Sequence, residues 1–209
     1  MLGLDPIIIA LRIPALLIAI TFHEFAHARM AYHFGDTTAK RQGRMNLNPI
    51  NHLDPVGTLM ILLVGFGWAK PVPINPHNFT QYRAGLRWVS FAGPMTNFVL
   101  GFLGLLLLNL LLSVGVTTDL LLRFIAVFFQ LNILLAVFNL IPIPPLDGSK
   151  ILMSYLSDTY LVYYYQLERY APFILLVLIF TGVFRFIIFP AYNLVFTIFN
   201  TIIRFIPGL

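Results

Sequence analysis

The sequence has no cysteine and few charged residues, and both absences restrict the class of protein. Without cysteine, the 209-residue chain can form neither disulfides nor thiolate metal sites. Asp, Glu, Lys and Arg together make up only 10% of the residues, far below their usual share in a soluble domain. The 13 Lys and Arg exceed the 8 Asp and Glu, but they form no basic stripe with interleaved aromatics. We therefore expect no nucleic-acid partner.

Apolar residues dominate instead, at 59% of the chain and a mean hydropathy of +0.86. This composition predicts an integral membrane protein surrounded by a lipid bilayer. One domain over residues 1–209 is sufficient for this length. The apolar N-terminus is similar to the core of a signal peptide, but it has no basic leader and continues directly into a segment with His and Glu. We therefore expect it to remain in the mature protein.

Three long apolar runs predict membrane-spanning helices. They cover residues 7–33, 88–113 and 120–141, and each is long enough to cross a hydrocarbon core of about 30 Å. Gly35 is expected to end the first helix. A tyrosine-rich stretch over 149–170 predicts an interfacial helix whose rings lie at headgroup level.

The remaining apolar segments are less regular. Residues 171–209 are interrupted by Arg185 and Pro190, and they fit either two tilted helices or one span followed by an in-plane helix. A run near 58–75 is too short to span and ends in the proline-rich WAKPVPINP, which favours a re-entrant segment or a short membrane-associated β-hairpin. The predicted fold is an all-α polytopic membrane protein with about four to six transmembrane helices and this one hairpin or re-entrant segment.

The distribution of Lys and Arg predicts an orientation. Positive charge is concentrated on the cytoplasmic side of membrane proteins, and the turn at 114–119 carries none. The long loop over 34–87 is therefore expected in the cytoplasm and the N-terminus outside, in a multi-pass protein of the cell membrane. The basic residues of that loop are Lys40, Arg41, Arg44, Lys70, Arg83 and Arg87.

The segment TFHEFAHARMAYH, from Thr21 to His33, contains a H-E-x-x-H motif. On a helix, His23 and His27 lie about 6 Å apart along the axis and on one face, so both imidazoles can bind one Zn²⁺. Glu24 then lies beside the metal, where it can accept a proton from a zinc-bound water. The alternative is a pair of ordinary core histidines. A carboxylate inside a membrane helix is costly, which favours the functional interpretation.

A catalytic zinc needs a third protein ligand, and two candidates fit poorly. His33 lies six residues beyond His27, but Met30 stands where the extended motif needs a glycine, so a continuous helix places His33 on the far side. Glu168 is surrounded by residues typical of the membrane interface.

The better candidate is Asp147, in the segment PIPPLDG. Irregular backbone at membrane depth is tolerated where it is buried or lines a polar cavity. The alternative is that Asp147 simply caps the following helix. The predicted orientation favours the ligand, because the first and third spans both end on the cytoplasmic side.

Small and polar residues in the second and third spans indicate a site between helices. Gly93, Asn97 and Gly101 recur every four residues and favour close helix approach. We assign Gly93, Asn97 and Asn132 to substrate binding, with interhelical hydrogen bonding as the alternative for the amides. Asn139 lies nearer the predicted metal and can donate to a developing oxyanion.

Taken in order, these motifs resemble the site-2 protease family of intramembrane zinc metalloproteases. The resemblance covers most of the first 150 residues and is carried by five segments, namely HEFAHARMAYHFGD, TAKRQGRMNLNPINHLDPVGT, WAKPVPINP, FAGPMTN and FNLIPIPPLDG. It implies zinc held by His23, His27 and Asp147, with Glu24 as general base. It also implies that Asn139 helps to hold the scissile peptide or its oxyanion.

The resemblance predicts a zinc metalloendopeptidase that cuts membrane-protein substrates within or beside their transmembrane segments, in regulated proteolysis or in clearance of membrane remnants. The active site is expected to open toward the cytoplasm. Neither a PDZ-like insertion nor a nucleotide-sensing domain is recognisable, which indicates a minimal form. Two alternatives are a metal transporter that uses the His/His/Asp site for transit and an inactive scaffold that binds membrane segments.

Overall fold

The computed structural model describes residues 5–57 and 69–207, and within these ranges the fold is helical without a β-strand. Two short 3₁₀-helices occupy Pro49–His52 and Pro76–Asn78. An isolated antiparallel bridge pairs Leu53 with Ala69. The α-helices are α1 (Pro6–His33), α2 (Thr38–Arg41), α3 (Tyr82–Ser113), α4 (Asp119–Asn139), α5 (Asp147–Met153), α6 (Asp158–Phe180) and α7 (Arg185–Arg204).

Four of these helices, α1, α3, α4 and α7, are long and apolar enough to cross a membrane. The prediction of a multi-pass, all-α membrane protein is therefore confirmed. The three predicted spans are present, and the largest difference in their boundaries is at the start of α3, which begins at Tyr82. The hairpin or re-entrant segment predicted near 58–75 lies largely outside the described residues, and 69–75 contain neither helix nor strand.

The prediction of one interfacial helix over 149–170 is wrong. This stretch contains the end of α5, a break and the first half of α6. At the break, the Ser154 hydroxyl donates to the Ile151 carbonyl (2.6 Å), and its oxygen accepts from Arg87 Nε on α3 (3.2 Å). These contacts fix the end of α5 against α3.

The apolar stretch after Ala171 forms two helical segments, but they are separated at Gly182 rather than at Pro190. Helix α6 continues to Phe180, and Gly182 then turns the chain with a φ of +72°, a conformation that glycine adopts at little cost. Helix α7 begins at Arg185 and contains Pro190.

Helices α1, α3 and α4 form the central bundle. Arg123 on α4 pairs with Asp5 at the start of α1 (3.4 Å) and with Asp119 (2.8 Å), so the N-terminal ends of α1 and α4 lie at the same end of the bundle. Helix α3 packs against both and runs in the opposite direction. A Cβ at Gly101 would lie 2.9 Å from Ile133, which explains how α3 and α4 approach so closely.

Asp36 joins the end of α1 to the segment before α3. Its side chain, only 1% exposed, accepts hydrogen bonds from the Thr38 amide (3.0 Å), the Asn75 amide (2.7 Å) and Asn78 Nδ2 (2.8 Å). Burial alone would raise the pKa of Asp36. The hydrogen bonds from Thr38, Asn78 and Asn75 outweigh that effect and hold its pKa below the ordinary value.

We predict that Asp36→Asn destabilises the protein by about 2 kcal/mol at pH 7, because an amide cannot accept all of these bonds. That loss corresponds to a decrease of about 5 °C in melting temperature in detergent micelles. Since the folded-state pKa is depressed, the carboxylate stabilises the fold above pH ~4 and loses this effect as the pH falls further. The difference between variant and wild type should therefore shrink in acid. Asp119→Asn, at an exposed position, is the control, and equal effects of both substitutions would contradict this role.

Candidate metal centre

The site is built on the buried face of α1, where the H-E-x-x-H residues lie one turn apart. His23, Glu24 and His27 are all buried. The two imidazole rings meet edge to face, with centroids 4.5 Å apart. Helical spacing alone produces this pairing, as predicted from the sequence.

Asp147 completes a cluster of three potential metal ligands. Its Oδ2 lies 3.1 Å from His23 Nε2 and 3.2 Å from His27 Nε2, and the two Nε2 atoms are 2.9 Å apart. Asp147 is the first residue of α5. The N-cap position belongs to Leu146, so the alternative of Asp147 as an N-cap is not what the structure contains.

Both histidines are oriented by hydrogen bonds on their other ring nitrogen. His23 Nδ1 donates to Asn97 Oδ1 (2.6 Å), and His27 Nδ1 donates to the Val89 carbonyl (2.7 Å), both groups belonging to α3. These bonds place the proton on Nδ1 and leave the Nε2 lone pairs facing the cluster. Metal-binding histidines are typically held in this way.

The donor set fits a zinc ion. Two lone pairs and a carboxylate oxygen face one another within 3.2 Å, and such an arrangement needs positive charge between its members. Ligand atoms of a tetrahedral zinc lie about 3.3 Å apart, close to the spacing observed here. Such residues bind a metal as an ionised carboxylate and as neutral imidazoles.

Glu24 is held by the backbone of the irregular segment that precedes α3. Its Oε2 accepts a hydrogen bond from the Val72 amide (2.8 Å). Pro71 and Pro73 lack an N–H, which leaves Val72 as the only amide donor of these three residues. Arg44 fixes the same segment by donating to the carbonyls of Lys70 (2.9 Å) and Pro71 (3.2 Å).

Two glycines allow the ligands to meet. A Cβ at Gly93 would lie 2.6 Å from His23 Nε2 and would also overlap His27 Nε2, so α3 must present bare backbone to the imidazoles. A Cβ at Gly148 would overlap the Leu140 carbonyl. Gly148 therefore lets Asp147 pack directly against the end of α4.

The three asparagines predicted to serve the site lie on α3 and α4. Asn97 on α3 contacts a metal ligand directly, and Asn132 and Asn139 lie on α4. Asn97 is fully buried, and besides accepting from His23 it donates to the Ala19 carbonyl (3.1 Å) and to Asn132 Oδ1 (2.8 Å). Asn132 in turn donates to the Phe128 carbonyl (2.9 Å). Asn139, at the end of α4, donates to the Leu135 carbonyl (3.0 Å).

The rejected third-ligand candidates, His33 and Glu168, are exposed and outside the cluster. Sequence reasoning missed the Val72 amide and the Val89 carbonyl because backbone groups have no residue-type signature. The only available signal for the Val89 carbonyl was its position one helical turn before Gly93, on the stretch of α3 that faces the histidines.

Comparison with known proteins relates the chain to metallopeptidases. Residues 113–182 match Peptidase family M50, a region that includes Asp147. A Bacillus subtilis (strain 168) protein named "Putative zinc metalloprotease YwhC" is 43% identical over 183 residues, which cover 85% of this chain and 84% of that protein.

More distant relatives are longer or less completely covered. "Putative zinc metalloprotease Rip2" of Mycolicibacterium smegmatis is 32% identical over 68% of this chain and 55% of its own length, so the chain spans little more than half of it. "Putative zinc metalloprotease MJ0611" of Methanocaldococcus jannaschii is 33% identical over 63% of each protein. No solved structure matches significantly. The identity to the Bacillus subtilis protein along most of both chains confirms the resemblance found in the sequence, and the chain belongs to peptidase family M50, the site-2 protease family.

Proposed function

We propose that this zinc metalloendopeptidase cuts membrane-protein substrates within or beside their transmembrane segments. The observation that carries the proposal is the meeting of Asp147 with His23 and His27, within 3.2 Å, on helices that are apolar enough to span a bilayer. Family membership and the names of the relatives support zinc as the metal.

In this proposal His23, His27 and Asp147 hold the ion, and Glu24 is the general base. A zinc ion held there would act as a Lewis acid toward the scissile carbonyl and would lower the pKa of a bound water toward about 7. Glu24 is the residue placed to accept a proton from the attacking water and to return it to the leaving amine. The bond from the Val72 amide holds one oxygen of the Glu24 carboxylate in place. Asn139 is proposed to hold the oxyanion or the scissile peptide.

For Gly93, Asn97 and Asn132 we propose a role behind the ligands rather than the substrate contact predicted from the sequence. Asn97 and Asn132 are fully buried, and Asn97 fixes the ring of His23. Gly93 provides the space that the imidazoles occupy. All three residues would then influence the reaction through the metal ligands.

The substrate must lose helical structure before it is cut. A membrane helix satisfies its carbonyls internally, so the scissile carbonyl becomes available only after local unwinding. We therefore propose that substrates carry helix-destabilising residues near the cut. The proposed site opens toward the cytoplasm with the N-terminus outside, in keeping with the basic 34–87 loop. The pairing of Asp5 with Arg123 supports the shared direction of α1 and α4 that this topology requires.

We predict that Glu24→Gln retains zinc and loses cleavage by about 10²- to 10⁴-fold, because the amide cannot accept the proton of the attacking water. The assay is cleavage of a single-pass substrate reconstituted with the enzyme in liposomes, together with metal analysis of the purified protein. Glu168→Gln, at an exposed position on α6, is the matched control. Wild-type cleavage by Glu24→Gln would overturn the mechanism. Zinc flux across the liposome without cleavage would favour the transporter.

We predict that Gly93→Ala lowers the zinc content of the purified protein at least about tenfold, although it removes no ligand. The added methyl group would lie 2.6 Å from His23 Nε2, within the space where the ligand atoms converge. Gly104→Ala on the same helix is the control, since its Cβ would lie no closer than 3.1 Å to Phe128 and Phe129. Melting temperatures of the metal-free proteins separate loss of the site from loss of the fold. A fully zinc-loaded Gly93→Ala protein would contradict the role proposed for this glycine.

A further inference from the structure

An apolar groove runs along the seam between α1 and α3, on the side away from the metal ligands. It has a volume of about 730 Å³ and lies open to the surroundings of the bundle. Its walls include Phe22 and Phe25 from α1 and Phe91 and Met95 from α3. The volume lies within the range of small-molecule sites, and the lining matches the chemistry of a hydrocarbon chain.

The two ends of the groove differ in polarity. One end is lined by Arg29 and His33, in the last turns of α1, and by Trp88, which is half exposed near the start of α3. Tryptophan and basic residues near the ends of spanning helices are typical of the headgroup level of a bilayer. The groove therefore leads from the headgroup level toward the apolar interior.

Arg29 shares an aromatic partner with a second cation, Lys40. Both side chains contact the ring of Tyr32, with the Arg29 guanidinium 5.8 Å and Lys40 Nζ 4.5 Å from its centroid. Lys40 also donates to the Tyr32 hydroxyl (3.2 Å). Over residues 5–57 and 69–207, neither cation forms an ion pair with a carboxylate. Arg29 thus brings a positive charge to the headgroup end of the groove, and Lys40, beyond the residues that line it, brings a second one to the neighbouring Tyr32.

We propose that this groove binds an anionic phospholipid, with an acyl chain between α1 and α3 and the phosphate at Arg29 and Lys40. Basic pockets between spanning helices are known to take anionic headgroups. The charge argues against a substrate helix as the occupant. In the proposed orientation such a helix would bring its own cytoplasmic Lys and Arg to the same end. A zwitterionic lipid carries a cation of its own beside the phosphate, so its headgroup is attracted less strongly to Arg29 and Lys40.

The bound lipid would stabilise the helix pair on which the metal centre is built. Ala26 and Ala92 line the groove, and the adjacent residues, His27 and Gly93, lie at the centre. The bonds from His23 to Asn97 and from His27 to Val89 cross the same seam. Lipid binding should therefore raise the melting temperature of the protein.

The test uses the full chain in neutral detergent, with added phosphatidylglycerol or phosphatidylcholine. Native mass spectrometry measures retained lipid, and thermal melting measures stabilisation. We expect wild type to retain phosphatidylglycerol preferentially. Arg29→Gln and Lys40→Gln should each weaken that binding about fivefold. Arg41→Gln, which removes an exposed cation next in sequence to Lys40, should leave the binding unchanged.

A second variant tests the apolar part of the groove. Ala92→Leu adds bulk to the wall and should reduce retention of phosphatidylglycerol while both cations remain. Its melting temperature without added lipid, compared with that of wild type, shows whether the fold is intact.

Three results would overturn the proposal. The first is equal retention of both lipids by wild type. The second is equal weakening by Arg41→Gln and Arg29→Gln. The third is capture of a substrate transmembrane peptide, rather than lipid, by a photo-crosslinker at Met95. None of these depends on proteolytic activity, so the lipid site can fail while the proposed peptidase function stands.

Discussion

The structure depends on one electrostatic requirement, which is that two imidazole nitrogens and a carboxylate oxygen meet in a buried site. His23, His27 and Asp147 bring these atoms within 3.2 Å of one another. Placing such groups together away from water is costly unless positive charge lies between them. The same cost explains why the rest of the site is so fully hydrogen-bonded. Each histidine has a partner on α3, and Glu24 has one in the segment before it.

Side-chain volume is the second constraint, and it follows from the first. For the ligands to meet, α3 must pass the histidines as bare backbone at Gly93, and α5 must start directly against the end of α4 at Gly148. Further along α3, Gly101 gives the same close approach to α4. The small residues of this bundle therefore serve two purposes. In a bilayer they let helices pack closely, and here they also make room for a polar centre between them.

Much of this arrangement could be predicted from the sequence because it depends on helical periodicity and hydropathy. The spacing of His23 and His27 fixes their pairing on any helix, and long apolar runs locate the spans. Asp147 required an additional argument from membrane orientation, since an aspartate before a helix is otherwise an ordinary cap. The prediction of one helix over 149–170 failed because tyrosine content does not reveal the break after Met153, where Ser154 bonds to Ile151 and Arg87. The hydrogen bond from the Val72 amide to Glu24 could not be predicted either, because a backbone group has no residue-type signature.

The bonds that orient the ligands are also the bonds that hold the helices together, so metal binding and helix packing are coupled. Asn97 links three helices, because it accepts from His23 on α1 and donates both to Ala19 of α1 and to Asn132 of α4. If His23 turned away to release the ion, Asn97 Oδ1 would lose a buried donor, and α3 would lose one of its polar contacts with α1. By the same linkage, whatever tightens the seam between α1 and α3 also preorganises the ligands for the metal. A groove along this seam that can take a lipid therefore gives the bilayer a direct influence on the stability of the metal centre.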